Sequence, residues 1–187
     1  VYKVINTWKE YASNKKKGLR VHVATAFFVP KPHTPFQWEK QIDPEEYLRR
    51  CRLLKSHFYS KCIDYNYHTS HISLLESVTA RGDRRLCSVI EEAAKNGAKM
   101  DGWDEYFDYS IWEKAFEKCG VDPPFYTTIG YGEDEVLPWD TIDVGVTKRF
   151  LQLERNRAYR AEVTPDCRHG CAGCGANGLL KEVQCDA

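Results

Sequence analysis

The chain predicts an α/β fold that is mainly helical, and three observations carry that expectation. An apolar helical stripe leads through a short charged connector into a continuous apolar run, the step from which parallel α/β folds are built. Beyond that run, several segments repeat apolar residues at helical spacing, with capping residues ahead of them and glycines behind. Near the end, Cys167, Cys171 and Cys174 stand at C-x3-C-x2-C spacing among Gly170, Gly173 and Gly175. That pattern predicts a metal loop, not a regular element.

In chain order, Val4, Ile5, Trp8 and Tyr11 share one helical face over residues 2–12. Residues 13–18, with three consecutive lysines, read as a solvated connector. The run from Leu19 to Val29, with Val21, Val23, Phe27 and Phe28 around Thr25, reads as a buried strand. Pro30, Pro32 and Pro35 stop it and fix an extended loop through Trp38. Loops at the C-terminal ends of parallel strands carry chemistry in α/β barrels. The plainer reading is a rigid loop whose Phe36 and Trp38 cap the core.

Asp43-Pro44-Glu45-Glu46 starts a helix with cap, proline and acids in their preferred places. Tyr47, Cys51, Leu54 and Phe58 form its stripe, with Cys51 a small core residue. Ser73 to Glu76 predicts a capping box for a short helix carrying Leu75 and Val78. Leu86, Val89, Ile90 and Ala93 mark another, closed by Gly97. A further helix follows Asp108, with Trp112, Ala115, Phe116 and Cys119 inward and Gly120 at its end. Residues 121–146 read as an irregular wrap, and a last helix runs from about Thr147 to Ala161.

Three thiolates on a glycine-rich loop can converge on one metal, because glycine allows positive φ and leaves N–H groups to point at sulfur. Zinc would need a closed fourth ligand, with His169 or Cys185 available. An iron–sulfur cluster can use three cysteines with an open iron, or take Cys185 as the fourth. Disulfide pairing competes, but there is no secretory apolar region and three clustered cysteines leave one over. The spacing equals that of the radical S-adenosylmethionine (SAM) cluster loop. Its place at the end of the chain points instead to a second, auxiliary cluster.

The chain has 187 residues with formal net charge zero and eight cysteines. No global basic field recruits nucleic acid, no run approaches a membrane span, and the cysteine usage fits a reducing, cytoplasmic setting. A first helix with nothing before it to pack on reads as the start of a truncated chain.

Ala24-Thr25 through VPKPHTPFQW to Trp38, ARGDRRL at Ala80–Leu86, Asp101-Gly102-Trp103, Leu137-Pro138-Trp139-Asp140 and the TPDCRxGCxGCG pattern at Thr164–Gly175 occur in this order. Together they resemble the C-terminal half of an uncharacterised bacterial radical SAM family, which often carries an N-terminal cobalamin-binding-like domain. The resemblance spans nearly the whole chain. It implies that residues 1–40 are the last helix and strand of a partial TIM-type barrel. Residues 41–163 would be a helical extension, and 164–187 a cysteine-rich cluster tail. It also implies a parent enzyme that binds a [4Fe–4S] cluster and cleaves SAM to a radical. The motif for that cluster would lie upstream, so this chain alone should be inactive.

The remaining polar groups have two readings each. Arg81, Arg84 and Arg85 flank a glycine-freed helix start and could grip a SAM carboxylate, a substrate phosphate or an RNA backbone. Alternatively, Asp83 caps the helix and the arginines pair with acids on the neighbouring helices. Lys31 and His33 could face a site at the strand end, His33 as a proton shuttle. His68 and His71 read as surface histidines. Arg149, Arg155, Arg157 and Arg160 read as a solvated face offsetting a cluster's charge, and Trp103, Trp112 and Trp139 as core anchors. The competing functional class is a zinc-stabilised module that docks RNA or a ribosomal partner.

Overall fold

The computed structural model describes residues 1–12 and 18–179. The chain forms a mainly helical α/β fold: α1 (Tyr2–Tyr11), β1 (Val21–Thr25), α2 (Pro44–His57), β2 (Ile63–Tyr67), α3 (Ser70–Arg81), α4 (Leu86–Lys95), α5 (Tyr109–Cys119), α6 (Pro123–Thr127) and α7 (Lys148–Tyr159), then a 3-10 turn at Ala176–Leu179. Among the described residues the sheet has two strands, paired in parallel with Val21 opposite Ile63 and Thr25 opposite Tyr67. A parallel pair needs a long crossover, and the proline loop with α2 supplies it.

Local chemistry places the helices. Asp43 accepts the Glu46 N–H at 2.8 Å ahead of Pro44 in α2, Asp108 accepts from Ser110 at 2.9 Å to start α5, and Thr147 caps α7 through the Phe150 N–H at 3.2 Å. Gly120 ends α5 at φ +64, a left-handed turn that a Cβ would resist. The anticipated capping box at Ser73 does not form. Helix α3 begins a turn earlier, at Ser70, so Ser73 and Glu76 lie within it.

Strand β1 departs from the expected buried run. It is five residues long and alternates half-buried Val21, Val23 and Thr25 with exposed His22 and Ala24. A two-stranded sheet covers one face only, so the other meets solvent. Its partner β2 escaped the sequence reading, although Ile63, Tyr65 and Tyr67 alternate with Asp64 and Asn66. Thr25 Oγ1 and the Tyr65 hydroxyl meet across the strands at 2.8 Å. Helix α1 buries only Ile5, leaving Val4 and Tyr11 exposed. In α2, Tyr47 and Cys51 are buried while Leu54 is exposed.

The main core joins α3, α4, α5 and α6 through Val78, Leu86, Val89, Ala93, Trp112, Ala115, Phe116 and Tyr126. A second core gathers Trp38, Leu137, Trp139 and Leu151, so the proline loop packs against the wrap and α7. The core therefore crosses position 40. A third, smaller cluster holds Phe27 stacked on Tyr47 with ring centres 4.4 Å apart. Trp103 is no core anchor; it is 61% exposed on the loop before α5. Arg155 is not solvated either: it donates to Glu39 at 2.7 Å and to Glu133 at 2.5 Å, tying α7 to the proline loop and the wrap.

Asp83 sits where α3 turns into α4. Its carboxylate accepts the Arg85 N–H at 2.9 Å, the Arg85 guanidinium at 2.6 Å and the Tyr126 hydroxyl at 3.2 Å. The Arg85 side chain foremost holds its pKa at about 2, below the ordinary 3.8. A carboxyl depressed on folding adds stability above its unfolded pKa and loses it as pH falls through the folded value. The thermal midpoints of wild type and Asp83→Asn should therefore differ most near neutral pH and draw together between about pH 4 and about pH 2.

Candidate functional site

The cysteine loop docks on the entry to α7. The Thr147 N–H donates to the Cys174 carbonyl at 2.9 Å. Gly175, at φ +96, sits so close to Thr147 that an added Cβ would meet its Cγ2 at 2.7 Å and the Gly145 carbonyl oxygen at 3.0 Å. Gly145 in turn faces Leu179, whose Cδ1 a Cβ would meet at 2.3 Å. Both glycines are therefore required by the close approach, and together they seat the loop against residues 145–147.

Within the loop, Cys167 and Cys171 are exposed and Cys174 is half-buried. The Gly173 N–H points at Cys171 Sγ (3.4 Å) and the Ala176 N–H at Cys174 Sγ (3.5 Å). Such N–H donors recur around metal-bound sulfur. Asp166 organises the start of the loop, accepting from the Arg168 side chain at 2.8 Å and lying 3.0 Å from His169 Nδ1. Those bonds, from Arg168 first, hold the Asp166 carboxyl below its ordinary range.

Among the described residues, however, no three His, Cys, Asp or Glu side chains are grouped as a metal's ligands. The expected convergence of the three sulfurs is not present in this arrangement. Cys171 and Cys174 each take an N–H from their own local turn, and Cys185, the anticipated fourth ligand, lies outside the described residues. The donor chemistry fits a thiolate-bound metal; gathering the donors requires the loop to close.

The other anticipated site residues fall in different places. Arg81 is fully buried, donating to the Glu39 carbonyl at 2.7 Å and the Ile129 carbonyl at 3.3 Å, with its guanidinium 4.8 Å above the Tyr131 ring. It is a structural tie with no surface left for a ligand. Arg85 is bound to Asp83 and lies over Phe125 at 4.9 Å, whereas Arg84 is exposed in the turn. Lys31 pairs with Glu76 of α3.

Glu76 of that pair lines a cavity of about 600 Å³ at the C-terminal ends of both strands, together with Ala26, Phe27, His68, Trp103 and Asp104. This is where parallel α/β sheets hold ligands, and the exposed Trp103 forms part of its wall. His71 stacks on Tyr109 with ring centres 4.3 Å apart.

His33 alone among the proline-loop candidates enters a polar cavity. The pocket is about 400 Å³, and Gln37, Asp140, Asp143, Thr147 and Lys148 line it with apolar neighbours. His33 adopts φ +55, held by its N–H donating to Gln37 Oε1 at 3.0 Å. The same oxygen accepts from Trp139 Nε1 at 2.7 Å. Asp140, Asp143 and Lys148 are site residues the sequence reading missed. Only the Leu-Pro-Trp-Asp motif hinted at Asp140, and no local pattern links residue 33 to residue 148.

No family model, curated protein or solved structure matches the chain. Among the described residues, no helix is long and apolar enough to cross a membrane.

Proposed function

We propose that this chain is the C-terminal portion of a cytoplasmic bacterial radical SAM enzyme and that Cys167, Cys171 and Cys174, with Cys185 as a candidate fourth ligand, hold an auxiliary iron–sulfur cluster. One observation carries the reading: three cysteines lie within eight residues on a glycine-bent loop whose amide N–H groups already point at two of the sulfurs. The motif resemblance supplies the enzyme class, with SAM, and cobalamin in the longer form, as cofactors of the parent. When bound, the cluster would supply electrons or an open iron for substrate. The chain's own contribution is thiolate donors, N–H groups that stabilise them, and a loop seated beside the His33 cavity.

Anaerobic reconstitution with iron and sulfide tests this. It should give broad absorption near roughly 400 nm, as thiolate-ligated clusters do. Colourless protein carrying stoichiometric zinc would overturn the cluster and favour a zinc-stabilised interaction module.

A further inference from the structure

The cavity beneath the cysteine loop carries chemistry of its own. Among the described residues, His33 Nε2 is buried without a hydrogen-bond partner, and the residue bearing it is held at a left-handed φ of +55. Leaving a buried ring nitrogen unpaired is costly, and holding a β-carbon residue in that conformation adds strain. Strain and an orphaned polar atom meeting at one cavity mark a place shaped for something other than stability.

The other polar groups define what would fit. Lys148, in the first turn of α7, donates to Asp140 Oδ2 and to the Glu135 carbonyl, each at 2.8 Å. An ammonium has three donors, so one remains, and it lies beside the helix N-terminus, where negative charge is favoured. Asp143 keeps one oxygen on the Gly145 N–H at 2.8 Å and lines the cavity together with Asp140. Val146 and Leu151 supply an apolar wall.

We propose that this cavity binds the zwitterionic head of an α-amino acid with an apolar side chain: carboxylate toward Lys148 and the start of α7, ammonium toward Asp140 and Asp143, and the side chain against Val146 and Leu151. His33 Nε2 has no exposed surface in the empty cavity, and binding turns the ring so that this nitrogen meets the head group. A pure anion would face two carboxylates, and a pure cation would face Lys148 and the helix N-terminus. A volume of about 400 Å³ admits an amino acid with room to spare. Every group invoked lies outside the cysteine loop, so the inference does not depend on a cluster there.

Titrating isotope-labelled protein by NMR tests it with L-leucine, with 4-methylpentanoate (which lacks the ammonium) and with 3-methylbutylamine (which lacks the carboxylate). L-leucine should shift amides of His33 and of residues 140–148. Each truncated probe should bind about tenfold more weakly or worse. His33→Gly should abolish the L-leucine response yet stay folded, because glycine adopts the same φ without strain. SAM titrated alongside separates a free amino acid from the α-amino-acid end of a larger cosubstrate, the tighter binder naming the source. Absence of shifts with both L-leucine and SAM, or equal binding of either truncated probe, overturns the proposal.

Discussion

Arg81→Ala should cost about 3 kcal/mol of stability, the largest single-site loss expected outside the aromatic core. The guanidinium is fully buried and joins three segments that are distant in sequence: α3 itself, the end of the proline loop through the Glu39 carbonyl, and the wrap through the Ile129 carbonyl. Truncation would open a cavity under Tyr131 and leave two acceptors without their donor. Lysine would not rescue the site, because its point charge cannot fork between two carbonyls and lie flat on a ring. Urea unfolding should show a lower midpoint with little change in slope for both Arg81→Ala and Arg81→Lys. A shift below about 1 kcal/mol would contradict the role assigned to this residue.

Loading with iron and sulfide should order the cysteine loop. Its present hold is local: one backbone bond from Thr147 to Cys174, the close approach of Gly175 to Thr147, two N–H groups on sulfur and the Asp166 turn. Drawing three sulfurs onto one inorganic centre fixes the backbone on either side of each. Amide hydrogen exchange over residues 167–176 should slow at least tenfold, equivalent to about 1.4 kcal/mol of local stability. The amides of α4 and α5, already in the main core, should change little. In Cys171→Ser the same treatment should leave the loop exchanging as before. Equal slowing in both proteins would mean that the loop is ordered by something other than its thiols.

The features legible in the sequence were the locally encoded ones. Asp43, Asp108 and Thr147 each cap the helix their position suggests, since a cap is settled within four residues. The glycine-rich cysteine loop is likewise visible from spacing alone. Features set by distant contacts were not. The exposure of β1 depends on how many strands flank it, and β2 is too short and polar to declare itself between a helix end and two histidines. Arg81 carries a charge in a motif that looks solvent-facing, yet carbonyls and a tyrosine ring more than forty positions away enclose it. The His33 cavity joins residues over a hundred positions apart. Spacing can bring thiols into one loop, but whether they meet depends on the centre they would bind.

The central claim is that the three clustered cysteines hold an iron–sulfur centre. Iron and acid-labile sulfide analysis of protein purified without oxygen, wild type against Cys171→Ser, tests it most directly. The account predicts about four iron and four sulfide per chain in the wild type and a small fraction of that in the variant. Equal metal in the two proteins, or zinc without sulfide, would contradict it.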